Sequence, residues 1–312
     1  MLKIYLSDEL GVLEEKNEIT RGCWVNLISP TEDEIIKLSN ELDLPIEFLK
    51  DPLDEEERSR IEKDEGNILI IVNIPLASMD EHNNMIYDTI PLGIIFTKGC
   101  FITVCLKDNP ILQSFTKNKL KNFFTYKKTR FSLQILYFMA TSYLKYLKQI
   151  SKLSDTIEKQ LHESMKNKEL FSLLNLEKSL VYFTTSLKSN NYVMQKILRG
   201  NYLKMYEDDQ ELLEDVIIEH QQAIEMADTY TNILSSMMDA FASVISNNVN
   251  NVMKLLTSIT IIMAIPTMVA SFYGMNVAIP FQNYQHSFLF AIILSFVLSS
   301  VTAVIFWKKK FF

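Results

Sequence analysis

The sequence predicts an α/β cytosolic domain followed by long helices and two C-terminal transmembrane helices, with a long stalk helix continuous with the first span. Three observations carry this. Short runs rich in Ile and Val alternate with helical segments as far as about Leu106. After Pro110 the pattern becomes almost wholly helical. Between Lys254 and the run Lys308-Lys309-Lys310 there is no Asp, Glu, Lys or Arg. The expected segments are 1–130 for the α/β domain, 131–204 for an antiparallel helical pair, 205–254 for the stalk, 255–276 and 287–307 for the spans, 277–286 for the loop between them, and 308–312 for a basic tail. A chain of 312 residues also fits about two domains.

Within the first segment, Cys23–Ile28, Ile68–Ile74, Met85–Phe96 and Cys100–Leu106 read as strands bounded by Gly66, Pro75 and Lys98-Gly99. Thr31-Glu32-Asp33-Glu34 is a capping box ahead of Ile35, Ile36, Leu38 and Leu42 at helical spacing. A second short helix is expected after Pro45. The acidic stretch Asp51–Arg58 reads, taken alone, as a solvated turn.

Ser132–Met165 and Glu169–Leu198 carry apolar residues at three- and four-residue spacings, with Gly200 marking the break that follows. From Met205 to Tyr273 there is no glycine and one proline, Pro266. Such a run forms one helix of about 100 Å. A helix of that length is held by neighbours rather than by propensity. From Ile233 to Asn251 Asp239 is the one charged residue, and apolar side chains are mixed with Ser and Asn. Both faces then look covered, which points to oligomerisation.

Leu255–Tyr273 and Ser287–Trp307, nineteen and twenty-one residues, each match the length needed to cross a bilayer core of about 30 Å. Lysines flank the two spans at Lys254 and at 308–310, while Val277–His286 has no Lys or Arg, so both termini are expected on the cytosolic side of a cell membrane. Asp8 and Glu9 interrupt the opening apolar stretch, so no signal peptide is expected.

Composition excludes several classes. The net charge of −7 disfavours nucleic acid as a partner. The cysteines, Cys23, Cys100 and Cys105, have no metal-type spacing and read as reduced, buried thiols. His82, His162, His220 and His286 lie in different elements, there is no phosphate-binding glycine loop, and no catalytic set is predicted.

A channel needs a column of small or polar side chains on one face of a membrane helix, repeated about an axis. Asn250, Met253, Leu256 or Thr257, Thr260, Ala264, Thr267 and Ser271 supply one in the first span, and Asn276 stands just beyond it. The competing reading is that these hydroxyls pack against a neighbouring helix. Pro266 removes one backbone hydrogen bond inside the span and bends it, as a structural feature or as a point of flexure.

The sequence Tyr273-Gly274-Met275-Asn276 ends the first of two C-terminal apolar helices, a lysine cluster follows the second, and Asn250 to Thr257 reads Asn-Asn-Val-Met-Lys-Leu-Leu-Thr. In these features most of the chain resembles the CorA family of magnesium transporters. The resemblance implies a homopentamer in the lipid bilayer that carries Mg²⁺ into the cytosol and is closed by cytosolic Mg²⁺. It implies that Gly274, Met275 and Asn276 form the selectivity element and Leu256 a hydrophobic constriction. Where some relatives carry methionine at the next constriction, this chain has Ala264. Regulatory carboxylates fall by motif on Asp51, ahead of Arg58-Ser59-Arg60-Ile61-Glu62, and on Asp215, ahead of His220. Hard oxygen ligands of this kind suit Mg²⁺.

An asparagine ring has a physical rationale, because Mg²⁺ dehydrates reluctantly and neutral amides accept hydrogen bonds from its water shell. Gly274 would let the backbone turn tightly there and present its carbonyl near the same axis. Val277–His286 lacks the acidic residue that many relatives carry in this loop. Co²⁺ or Ni²⁺ passage and a zinc transporter of the same architecture are the nearest alternatives. A membrane-anchored scaffold or signalling protein, which would need no polar column, is the alternative from another class.

Overall fold

The computed structural model describes residues 1–312 except 80–84, 118–122, 165–166, 201, 278–279, 281–285, 310 and 312, with backbone alone at 162–164 and 167. The loop expected over 277–286 therefore falls mostly outside the described residues, as do His82, Lys310 and the end of the helix expected to close at Met165. Contacts divide the chain into two compact units, Met1–Ser235 and Ser236–Phe312.

The first unit is built on a seven-stranded sheet ordered β2-β1-β3-β7-β6-β5-β4. Its strands are β1 Leu2–Ser7, β2 Leu13–Lys16, β3 Trp24–Ile28, β4 Arg60–Asp64, β5 Asn67–Met79, β6 Met85–Phe96 and β7 Phe101–Cys105. All neighbours pair antiparallel except β3 and β7, which run parallel. The edge strands β2 and β4 are short and charged, as edges that must not recruit another strand tend to be. Glu65 and Gly66 have φ of 44° and 89° between β4 and β5. Two consecutive positive φ values are what a tight two-residue hairpin requires.

Alternation along the strands sends side chains to two different layers. Val25, Leu27, Ile71, Ile95, Ile102 and Val104 pack against Ile35 and Leu38 of α1 (Glu32–Leu42) and Phe48 and Leu49 of α2 (Ile46–Lys50). The α1 capping box forms as expected: Glu34 N–H donates to Thr31 Oγ1 at 3.3 Å and Thr31 N–H to Glu34 Oε2 at 2.9 Å. On the other face, Trp24 meets Phe115 of α3 (Pro110–Thr116), Phe123, and Phe131 of α4 (Lys128–Ser164) edge to face. Its indole N–H donates to Thr103 Oγ1 at 2.8 Å, and that hydroxyl donates on to Asn26 Oδ1 at 2.9 Å. The buried indole thus keeps a partner, avoiding a desolvation penalty of about 1–3 kcal/mol.

α5 (Asn167–Arg199) lies over β5 and β6, with Phe183 against Tyr87. Asn190 stitches this layer to the sheet. Its Oδ1 accepts from Ser59 Oγ and Asn73 N–H at 2.8 Å each, and its Nδ2 donates to Asn73 O at 2.7 Å. Tyr143 of α4 donates to the same carbonyl at 2.8 Å. Cys23, Cys100 and Cys105 are buried free thiols.

α6 runs unbroken from Glu207 to Tyr273, 67 residues. Its N-terminal part belongs to the first unit, where Asp228 pairs with Lys188 at 2.9 Å and Ser235 donates to Glu177 at 3.0 Å. The second unit holds the rest of α6 and α7, Ser287–Lys308. Both helices are long and apolar enough to cross a membrane, and α7 has no buried residue.

Candidate functional site

The polar column lies on one side of α6. At about 100° per residue, Asn250, Met253, Leu256, Thr260, Ala264, Thr267 and Ser271 fall within about 120° of the helix circumference. All seven are exposed. The groove between α6 and α7, about 690 Å³, is lined on α6 by Ile262, Met263, Pro266, Val269, Ala270 and Tyr273. That set is centred about 140° away from the column. The column is therefore not the surface that α7 packs against. Thr260 and Thr267 donate to the carbonyls of Leu256 and Met263 at 2.8 and 3.3 Å, and each hydroxyl oxygen keeps its capacity to accept.

Gly274, Met275 and Asn276 follow the last turn of α6, and all three are exposed. Gly274 N–H still donates to Ala270 O at 2.9 Å. Among the described residues the glycines with positive φ are Gly11, Gly22 and Gly66, so the turn at Gly274 does not use the left-handed freedom that its glycine suggests. A Cβ there would come within 3.3 Å of Ala270 O, the carbonyl to which its own N–H donates.

The two carboxylates expected to hold a regulatory cation lie on different elements, Asp51 after α2 and Asp215 on α6. Asp51 opens a 3-10 turn, Asp51–Leu53, directly after α2. Pro52 of that turn rests on Gly93 of β6, where a Cβ would meet Pro52 Cγ at 2.3 Å. Glycine at 93 is what lets the turn seat against the sheet. Arg60, at the start of β4, donates to Asp51 Oδ2 at 2.5 Å, to Glu57 Oε1, and to Glu62 Oε2 at 3.4 Å. Burial opposes the charge on Arg60, yet the carboxylates of Glu57, Asp51 and Glu62 hold its pKa above the ordinary arginine value. Asp215 is exposed on α6. Among the described residues no group of three or more His, Cys, Asp or Glu is placed to hold a metal.

Arg60 as the partner of Asp51 was not foreseen. No local pattern announces it, because the pair depends on how the segment 54–59 carries the chain from the Asp51 turn into β4.

His220, one and a half turns beyond Asp215, is buried, with Nε2 2.9 Å from Leu187 O and its ring edge-on to Tyr143. Burial lowers its pKa from 6.5 to about 4, and the Leu187 carbonyl works against that shift. The neutral ring is thus the folded form, and its contribution is complete above the unfolded value and lost as pH falls toward the folded one. At about 1.4 kcal/mol per unit, this is about 3 kcal/mol of stability. Thermal unfolding of the wild type is expected to steepen in pH dependence between about 6.5 and 4, and His220→Gln to remove that increment. Equal slopes in the two proteins would remove His220 from this role.

A sheet domain whose long helix continues into the first of two helices long and apolar enough to cross a membrane has the architecture of a two-span membrane protein. The family profile described as CorA-like Mg²⁺ transporter protein matches residues 20–310. The chain belongs to that family. It is 30% identical over 300 residues to the cobalt/magnesium transport protein CorA of Methanocaldococcus jannaschii, covering 93% of this chain and 91% of that one. With the magnesium transport protein CorA of Helicobacter pylori it shares 26% over 320 residues, 99% of this chain and 96% of the relative. The complete structure of the CorA magnesium transporter from M. jannaschii superposes with a TM-score of 0.84 at 27% identity, covering 99% of this chain and 98% of that one. The protein is accordingly a membrane transporter of divalent cations and not an enzyme.

Proposed function

We propose that five copies of the chain assemble into a channel that admits Mg²⁺ to the cytosol, with the α6 columns lining the pore, a ring of Asn276 amides at its outer mouth, and both termini in the cytosol. The observation that carries this reading is the exposed column on the side of α6 away from α7, leading to Asn276. The amides accept hydrogen bonds from the hydration shell of Mg²⁺, so the ion can enter without losing its first-shell water. The loop that follows has no carboxylate to concentrate cations, which leaves selection to the neutral ring.

Closure in this reading comes from cytosolic Mg²⁺ held between subunits by Asp51 and Asp215. These are hard oxygen donors suited to Mg²⁺. Asp51 is already ion-paired within its own subunit, so an arriving cation competes with Arg60 for it. A ligand of this kind closes the pore only through tighter binding to the closed state.

Leu256 forms the apolar neck, where a dewetted ring blocks ions. Leu256→Ser is expected to raise basal Mg²⁺ flux severalfold in a dye-loaded liposome assay. Unchanged flux with unchanged Mg²⁺ sensitivity would remove the neck from Leu256.

Ion flux into liposomes containing the purified protein tests the function itself. Uptake of Mg²⁺, with Co²⁺ and Ni²⁺ as weaker permeants, is expected. Uptake of Zn²⁺ in preference to Mg²⁺ would assign the chain to a zinc transporter, and absence of any flux would overturn the Mg²⁺ channel reading.

A further inference from the structure

Pro266 leaves a gap in the hydrogen bonding of α6. It has no N–H, so the carbonyl four residues earlier, Ile262 O, loses its helical donor, and the pyrrolidine ring pushes that carbonyl aside. Inside a hydrocarbon layer no water replaces the lost donor, and the group must find one in the protein. The donor comes from α7: Ser299 Oγ lies 3.5 Å from Ile262 O.

The other hydroxyls nearby mark this out. Ser295 and Thr302 of α7 donate to carbonyls of their own helix, Ala291 O at 2.8 Å and Leu298 O at 3.0 Å. Ser299, between them, reaches across instead. Ile262, Pro266 and Ser299 line the same groove.

We propose that Ser299 is a positioning residue for the transport pathway. Its hydroxyl supplies the donor that Pro266 removes, and so ties the bend of α6 to α7. The role in transport rests on the reading of α6 as the pore helix; the hydrogen bond does not. The separation of 3.5 Å is longer than the usual O–H···O distance of about 2.7–2.8 Å. A bend that brings the helices closer strengthens the bond, and the differential strength between two bends is what biases the pore toward one of them.

A double-mutant cycle isolates this bond, because Pro266→Ala restores the N–H that Ile262 O lacks and leaves Ser299 with nothing to supply. In the Pro266 background Ser299→Ala is expected to shift the unfolding equilibrium of the detergent-solubilised protein about threefold, the size of an average hydrogen bond between membrane helices. It is also expected to move the half-inhibiting internal Mg²⁺ by up to about threefold. Ser299→Thr, which keeps the hydroxyl, is expected to behave as wild type in both. In the Pro266→Ala background the effect of Ser299→Ala is expected to vanish.

An equal effect of Ser299→Ala in both backgrounds would make Ser299 a packing residue and overturn the proposal. No effect on stability in the Pro266 background would overturn it too. A stability coupling with no movement of the Mg²⁺ curve would overturn the positioning role. Failure of the pore reading has a separate signature, wild-type selective flux in Asn276→Ala.

Discussion

Asn276→Ala and Asn276→Asp are expected to abolish selective Mg²⁺ uptake in proteoliposomes while the purified oligomer elutes as wild type. The alanine ring offers no acceptors to the water shell of the ion. A hydrogen bond to a charged group is worth about 1.5–3 kcal/mol, so loss of even one acceptor at the mouth lowers passage by about tenfold or more. The aspartate ring retains acceptors but adds like charges at close range, which repel one another and hold a divalent ion too tightly to release. Asn276 is exposed beyond the end of α6, so neither change disturbs packing within the subunit. Wild-type flux and ion preference in either variant would sink the assignment of the mouth.

The second large effect is expected from Asp51→Asn combined with Asp215→Asn. The half-inhibiting concentration of internal Mg²⁺ should rise by about tenfold or more in patch recordings, corresponding to about 1.4 kcal/mol lost from the preference of Mg²⁺ for the closed state. Ion preference at the mouth should stay as it was. Asp215→Asn alone is the cleaner of the two single changes, because Asp215 is exposed. Asp51→Asn also strips one partner from Arg60, leaving it Glu57 and Glu62. An inhibition curve unshifted in the double variant would remove both carboxylates from the sensor.

The helical half of this protein was readable in the sequence because its signals are local. The absence of glycine from Met205 to Tyr273 fits the single helix α6, and the uncharged stretch ahead of Lys308 fits α7. The capping box at Thr31 and the run Met85–Phe96 are likewise local patterns, and both appear as expected. β1, β2 and β4 were not anticipated. Each is short, and β2 and β4 bury one residue apiece, so the edge strands carry too little alternation to stand out from a loop. α3 was missed although Asn109-Pro110 places a cap and a first-turn proline side by side, with Leu112 N–H donating to Asn109 Oδ1 at 3.0 Å.

The parts of the site that depend on tertiary geometry were not readable at all. The ion pair of Asp51 with Arg60 arises because the segment 54–59 carries the chain from the turn that Gly93 accommodates into β4 beside it. The approach of Ser299 to Ile262 joins residues on two different helices, and nothing in the spacing of either one announces it. Pro266 could be read as a bend, but the donor that completes the bend could not.

In the proposed channel the face of α6 turned away from α7 lines the ion path. Single cysteines placed in turn along the helix and treated with a charged thiol reagent during Mg²⁺ flux test it most directly, since Cys23, Cys100 and Cys105 are buried and give a silent background. Cysteines at Thr260, Ala264, Thr267 and Ser271 are expected to stop the flux on modification, while those at Ile262 and Val269, which face α7, should leave it running. Block at Ile262 and Val269, with none at the column, would contradict the account.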